Sequence, residues 1–133
     1  MRKVKVRALL DDVGLPDFEV DGVKAKHAAM AFGKGSGGDD IAFDLKDDSG
    51  RGLRFDSEDP IWVDEDAPCP PTEGVTTDQL SVKDCKPQKL VVNNLNSGAA
   101  RDLRYQLNFI AGDGSRLSCD PIIKNGGGGG GDR

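Results

Sequence analysis

The sequence predicts an all-β domain built from two stacked antiparallel sheets, and three observations indicate this fold class. Apolar and polar residues alternate over short runs, most clearly from Leu103 to Ala111, which places the apolar side chains on one face of a strand. Turn-forming stretches rich in Gly, Pro, Asn and Asp separate these runs. No long helical pattern interrupts them, so the connections are expected to be hairpins rather than helical crossovers. Together these features predict roughly seven to nine short strands.

Each predicted strand corresponds to one such run. In chain order the runs are 3–10, 17–21, 41–46, 53–55, 61–63, 80–85, 89–95, 103–111 and 116–119, and residues 122–123 could add a short terminal strand. Glycine-containing turns predict that the third run forms a hairpin with the fourth, and the eighth with the ninth. The segment Val23–Phe32 fits a strand or irregular structure, with a short helix as the alternative, and Gly33–Gly38 is expected to be a flexible loop.

Length and composition restrict the classes of protein that the chain can belong to. Its 133 residues predict a single domain that can bury a core without disulfides or metal. The formal net charge of -5 argues against nucleic-acid binding, which needs a basic surface. No apolar run is long enough to cross a membrane, and charged residues interrupt any signal-peptide pattern near the start. The odd number of 3 cysteines agrees with a reducing compartment, so we expect a cytoplasmic protein without a membrane partner.

The closing residues carry a resemblance to known proteins. Residues 120–126 read Asp-Pro-Ile-Ile-Lys-Asn-Gly, and they follow a strand that ends in Asn residues and a strand that contains Tyr105. This arrangement resembles the terminal motif of a group of small, uncharacterised bacterial immunoglobulin-like proteins. The resemblance covers Leu90 to Gly126 and, in a looser form, Ile41 to Val63. It implies an antiparallel immunoglobulin-like β-sandwich and a bacterial origin, and it brings no activity with it.

The end of the chain predicts a change from domain to tail. Gly126 to Gly131 are consecutive glycines, and each would cost about 1–2 kcal/mol of backbone entropy to order without a side chain to offset that cost. We therefore predict a β-sandwich domain over residues 1–124 and a flexible glycine-rich tail over residues 125–133. The alternative is that this tail docks in a narrow groove or along a sheet edge of another subunit.

The function hypothesis that follows is a non-enzymatic protein-interaction or self-assembly module. The first strand presents a basic face and is expected to lie at a sheet edge, where lysines guard against unwanted strand pairing. A stiff proline-rich loop and the start of the tail are the other candidate surfaces. The predicted interaction residues are Lys3, Lys5, Arg7, Cys69, Pro70, Pro71, Asn125 and Gly126.

One alternative function is a Ca²⁺-dependent binding module. Calcium takes six to eight oxygen ligands, which aspartate-rich loops at one end of a sandwich can supply. The predicted metal-binding residues are Asp64, Glu65, Asp66, Asp47 and Asp48. No EF-hand spacing is present, so the other interpretation of these acids is that they favour turns and solubility. Apart from this calcium hypothesis, no cofactor is expected.

A hydrolase of unknown type is the other alternative, and the sequence gives it little chemical support. The single histidine, His27, lies far in sequence from the cysteines Cys69, Cys85 and Cys119, and no Cys-x-x-Cys pair is present. Neither a phosphate-binding loop nor a Gly-x-Ser-x-Gly motif occurs. Cys69 and Cys85, if oxidised, would close a loop, and the sequence leaves open whether they are bridged.

Overall fold

The computed structural model of the chain describes residues 1–65, 77–119 and 121–127, with the backbone alone at position 65. Apart from one turn of 3-10 helix at Ala25–His27, all of its regular structure is β-strand, which confirms the all-β prediction. The strands are β1 (Arg2–Leu10), β2 (Pro16–Val20), β3 (Val23–Lys24), β4 (Ala29–Phe32), β5 (Asp39–Asp47), β6 (Arg54–Phe55), β7 (Ile61–Glu65), β8 (Leu80–Lys86), β9 (Lys89–Asn94), β10 (Arg101–Ile110), β11 (Arg116–Cys119) and β12 (Ile122–Asn125). This set is larger than predicted because it includes two-residue strands and because Val23–Phe32 divides into β3, the helical turn and β4.

The strands form two mixed sheets that do not close into a barrel. The first sheet has the order β3-β2-β1-β5-β9-β8. In the second, β10 pairs with β11 and β12 along one side and with β6 and β7 along the other, and β4 pairs with β12. The pairs β1–β5 and β4–β12 are parallel, so the predicted fully antiparallel arrangement is wrong at these two places. Alternation along a strand reports which side chains are buried but not the direction of the neighbouring strand.

One of the two predicted hairpins is confirmed and the other is wrong. β10 and β11 pair antiparallel, with Phe109 opposite Leu117. By contrast, β5 belongs to the first sheet while β6 pairs with β10 in the second, so the turn at 48–53 carries the chain from one sheet to the other. Leu53 and Phe55 are buried, as the in-phase pattern predicts, but the partner of β6 is β10 rather than β5.

Aromatic side chains from both sheets meet in one core. The ring of Phe18 on β2 stacks on Phe109 of β10, with centroids 5.1 Å apart, and Phe55 packs on the same ring at 5.0 Å. Phe43 on β5 meets Tyr105 of β10 at 5.8 Å. Such pairs contribute about 0.5–1.5 kcal/mol each beyond the apolar area that they bury. β10 is therefore the strand around which the core and the second sheet are assembled.

The described part of the chain contains no helix long and apolar enough to cross a membrane. Its one helical segment is the three-residue turn that precedes β4.

Candidate interaction surface

The first strand lies in the middle of its sheet, although its first residues, Lys3 among them, have a paired strand on one side only. β1 pairs with β2 on one side and with β5 on the other, so it is a central strand of the first sheet. The predicted edge position of this strand is therefore wrong, because an alternating run does not reveal how many neighbours the strand has. The side chains of Lys3, Lys5 and Arg7 nevertheless point outward and are exposed, while Val4 and Val6 between them are buried.

The outer face of the first sheet is basic although the chain as a whole carries a net charge of -5. Register and alternation place more cations than carboxylates on the strands of this face. The cations are Lys3, Lys5, Arg7, Lys24, Lys46, Lys83, Lys86 and Lys89, and the acids are Asp17, Glu19, Asp40, Asp44 and Asp84. A positive face on an acidic protein creates a local field that attracts acidic partners.

Ion pairs neutralise most of these cations. Arg7 contacts Glu19 at 3.6 Å and Asp48 at 2.8 Å, and the hydrogen bond and charge of Asp48 raise the pKa of the guanidinium. Lys83 contacts Asp40 at 2.9 Å. The amide of Asn93 and the ammonium of Lys83 hold the pKa of Asp40 below its usual value. Lys24, Lys46 and Lys86 each have a carboxylate within 3.9 Å.

Three lysines of this face form a group that we name the lysine cluster: Lys3, Lys5 and Lys89. Among the residues that the structure describes, no carboxylate lies within the 4.0 Å ion-pairing distance of any of them. Lys5 and Lys89 lie on opposite sides of Asp44 in register, so two strand spacings, about 10 Å, separate their backbones. Ala42 lies opposite Lys3 and is fully buried.

A second group of polar residues is buried at the end of the fold where the chain leaves β12, and we name it the asparagine clasp: Asn94, Asn96 and Asn125. The amide of Asn94 donates to Oδ1 of Asn125, and the amide of Asn125 donates back to Oδ1 of Asn94, both at 2.8 Å. Asn94 is 0% exposed and Asn125 is 3% exposed. Each buried side-chain amide thus has a hydrogen-bond partner that offsets the free-energy cost of removing it from water.

Asn96 ties the predicted flexible glycine loop to this end of the fold. Its amide nitrogen lies 3.0 Å from the carbonyl oxygen of Gly33 and 3.1 Å from that of Gly37. The same nitrogen lies 3.2 Å from the hydroxyl of Ser36. The loop is therefore held by a buried side chain, and its glycines serve close approach as well as turning: a Cβ at Gly38 would lie 2.4 Å from the carbonyl oxygen of Asn94.

The predicted boundary between domain and tail lies too early. Asn125 belongs to β12, the amide of Gly126 donates to the carbonyl of Phe32 at 2.7 Å, and the amide of Gly127 donates to Oδ1 of Asn96 at 2.9 Å. A Cβ at Gly126 would lie 2.5 Å from the amide nitrogen of Lys34, so only glycine fits there. The domain therefore extends to Gly127 rather than ending at residue 124. Asn125 is inside the fold and not available as a docking residue.

Of the predicted calcium ligands, the three whose side chains the structure describes, Asp47, Asp48 and Asp64, do not form a metal-binding group. Asp47 ends β5 in the first sheet, where its carboxylate accepts hydrogen bonds from the amides of Ser49 and Leu53, both at 2.9 Å. Asp48 is paired with Arg7, whereas Asp64 lies on β7 in the second sheet. The described residues contain no group of three or more His, Cys, Asp or Glu side chains that could hold a metal ion. Asp66 and the side chain of Glu65 lie outside the described part, so the calcium hypothesis stays a prediction.

Asp47 instead holds the turn that carries the chain between sheets, and this role predicts a pH-dependent contribution to stability. Burial raises the pKa of Asp47, but the hydrogen bonds from Ser49, Leu53 and Gly52 outweigh it, so the net pKa lies below the usual value. A lowered folded-state pKa stabilises the fold above pH ~4 and ceases to do so as the pH falls through it. We expect Asp47→Ala to lower the free energy of unfolding by about 1 kcal/mol at neutral pH, with a smaller loss in acid.

Urea denaturation at neutral pH and near pH 3 measures this difference, with Asp12→Ala on the exposed first turn as the control. An equal loss for Asp47→Ala at the two pH values would contradict the assigned role.

Among the described residues, no hydrogen bond joins His27 to the thiol of Cys85. His27 lies on the exposed helical turn before β4. Burial raises the pKa of the Cys85 thiol, with the charges of Asp84 and Asp56 adding to the effect, so the reactive thiolate is disfavoured. Cys85 carries a free thiol whose sulfur lies 3.9 Å from the carbonyl oxygen of Asp56. The predicted interaction residues Cys69, Pro70 and Pro71 lie outside the described residues.

Sequence reasoning missed Lys89 as a member of the lysine cluster. Lys89 is 84 positions after Lys5, and only the pairing of β5 with both β1 and β9 brings the two lysines to one face. The sequence carries a partial signal, since Lys89 begins an alternating run in which Leu90 and Val92 are buried. That run predicts an outward lysine but not its neighbours.

Comparison with known proteins does not assign either the lysine cluster or the asparagine clasp to a known kind of site. No model of a known protein family matches the chain, and no curated protein matches it.

Proposed function

We propose that the chain is a non-enzymatic interaction module that binds an acidic protein surface through the lysine cluster. The observation that carries this proposal is the set of three exposed lysines that have no carboxylate within 4.0 Å among the described residues, on a face whose other cations are ion-paired and where Asp44 lies between Lys5 and Lys89 in register. We include in the proposal that the fold is an immunoglobulin-like sandwich and that the protein is bacterial and cytoplasmic. The resemblance of the closing motif supports the fold and the bacterial origin, and the odd number of cysteines supports the cytoplasmic location.

The position of β1 strengthens the interaction hypothesis. Lysines on an edge strand are explained by protection against unwanted strand pairing. That explanation does not apply to Lys5, because its backbone is hydrogen-bonded to Asp21 on one side and β1 pairs with β5 on the other, whereas Lys3 lies on the part of β1 that pairs with β5 alone. A central strand also presents its side chains on a rigid surface, so little conformational entropy of the backbone is lost on binding.

A second copy of the chain offers one acidic surface that the lysine cluster would bind. The net charge of -5 together with a basic sheet face means that the remaining surface is strongly acidic. A contact between the basic face of one copy and an acidic face of the next would be heterologous. Sedimentation velocity at low and high salt separates self-assembly from binding to a different protein, since screening weakens exposed charge pairs.

We expect the variant Lys3→Glu/Lys5→Glu/Lys89→Glu to bind acidic partners at least ~10-fold more weakly, because three exposed ion pairs of about 0.5 kcal/mol each are lost. Isothermal titration of the full chain with a poly-glutamate peptide measures this effect. In cells that naturally produce the chain, cross-linking followed by mass spectrometry identifies the native partner.

The matched control is Lys26→Glu/Lys34→Glu/Lys124→Glu, which makes the same change in net charge at exposed lysines outside the first sheet. If this variant loses poly-glutamate binding as strongly as the cluster variant, total charge and not the lysine cluster controls binding, and the proposal is wrong.

A further inference from the structure

A cavity of about 460 Å³ opens between the two sheets, away from the outer face that carries the lysine cluster. One wall comes from the first sheet, with Arg2, Val20 and Asp21. The other comes from the helical turn and β4, with His27 and Met30 among its residues. Tyr105 of β10 also lines the cavity. The volume lies in the range typical of sites for small organic molecules, and most of its lining side chains are apolar.

The hydroxyl of Tyr105 is the unusual feature of this cavity. The residue is 1% exposed, yet no hydrogen bond to its hydroxyl is present among the described residues. A buried hydroxyl without a partner costs about 1–3 kcal/mol, and buried tyrosines usually find one. Burial, with smaller contributions from Cys119 and Asp21, raises the pKa of Tyr105 well above its usual value, so the group remains a hydrogen-bond donor. The lining of the cavity therefore includes a buried tyrosine whose hydroxyl has no hydrogen-bond partner among the described residues.

Two opposite charges line the same cavity and each keeps spare capacity for a ligand. The guanidinium of Arg2 donates a hydrogen bond to the carbonyl of Ala31 at 2.6 Å, which uses one of its five donors. It also stacks over the ring of Phe32 at 4.0 Å. The carboxylate of Asp21 accepts the amide of Lys5 through Oδ1 at 2.8 Å, which leaves its second oxygen. Asp21 is itself held at a φ of 50° in the two-residue turn between β2 and β3, so its position is set by the backbone.

We propose that this cavity binds a small zwitterion with an apolar body, such as a free apolar amino acid. Arg2 receives the carboxylate, Asp21 receives the ammonium group, and the apolar walls around Val20 and Met30 receive the side chain. The hydroxyl of Tyr105 gains from the ligand the hydrogen bond that the protein does not supply. His27, at the exposed turn, is the remaining titratable group that faces the cavity, and it adds no anion that would compete for the ammonium.

Isothermal titration of the full chain with L-leucine tests this proposal, with two analogues that each lack one charge. 4-Methylpentanoate lacks the ammonium group and 3-methylbutylamine lacks the carboxylate. We expect leucine to bind and each analogue to bind at least ~10-fold more weakly, since a charged hydrogen bond is lost in each case. Backbone amide shifts measured by NMR should localise the ligand to residues 28–31 of the cavity wall.

Two substitutions make the test specific to the named groups. Tyr105→Phe removes only the hydroxyl, so we expect leucine affinity to fall by about 10-fold while the urea midpoint of the free protein is unchanged or raised. Asp21→Asn keeps the acceptor for Lys5 and tolerates the positive φ, so it should abolish the preference for leucine over 4-methylpentanoate. The matched control for charge is Asp12→Asn, at an exposed turn.

The absence of heat and of amide shifts at millimolar leucine, and with phenylalanine as a larger apolar body, would overturn the proposal. Unchanged leucine affinity in Tyr105→Phe would overturn it too, because the tyrosine hydroxyl without a hydrogen-bond partner is the feature on which the choice of this cavity rests. Neither result depends on the lysine cluster, so the proposed function is tested separately.

Discussion

A chain that ends at Lys124 is expected to be less stable than one that ends at Gly127 by about 4–6 kcal/mol. The three residues that distinguish the two chains take part in five hydrogen bonds besides the strand pairing of Asn125 with β10 and β4. Two join the amides of Asn94 and Asn125, and the other three link Gly126 and Gly127 to Phe32, Asn96 and Gly35. Each contributes about 1 kcal/mol, and the loss of Asn125 also leaves the buried amide of Asn94 without its partner.

Urea denaturation of the two truncated chains measures this difference directly. The comparison is matched because both chains lack the same residues after position 127. A single substitution, Asn125→Ala, isolates the amide pair and should account for about 2–3 kcal/mol of the loss, since it leaves Asn94 unpaired in a buried site. Equal stability of the two truncated chains would show that the fold ends where the sequence pattern suggests, at residue 124.

Phe109→Ala is expected to lower the free energy of unfolding by about 4–5 kcal/mol, near the upper end for large-to-small core changes. The side chain of Phe109 is fully buried and its ring contacts both Phe18 and Phe55. Removing it therefore loses apolar burial, two aromatic contacts and the packing between the sheets at once. A loss of this size is comparable to the whole stability of a marginal domain.

The control for this prediction is Val13→Ala, because Val13 is 78% exposed and should change stability by less than ~0.5 kcal/mol. Circular dichroism during urea titration reports both variants. If Phe109→Ala costs no more than about 1 kcal/mol, the two sheets do not share the core that the ring contacts indicate.

Alternation predicts much of this fold because burial has a period of two along a strand. It correctly separates Leu103 and Leu107 from Arg104. It fails where two elements far apart in sequence must be matched. The runs that became β5 and β6 look like a hairpin, yet the turn between them crosses from one sheet to the other, since short-range pattern does not specify sheet membership.

The candidate surfaces also combine features that a single strand pattern predicts with features that depend on contacts between residues far apart in sequence. The outward orientation of Lys3 and Lys5 follows from the run that contains them, and the structure places them as predicted, but on a central strand. Lys89 joins them only through the pairing of three strands. The glycines after Asn125 predict a tail, whereas the side-chain amide of Asn125 completes a buried pair with a residue 31 positions earlier.

The insertion of β12 between β10 and β4 has a consequence for synthesis of the protein. β4 ends at Phe32, whereas its partner begins at Ile122, so about 90 residues must be translated before the pair can form. At 5–20 residues per second, the nascent chain carries β4 without this neighbour for roughly 5–18 s. During that interval the apolar side chain of Phe32 lacks its final packing, and the ribosome-bound chain offers a natural target for a chaperone.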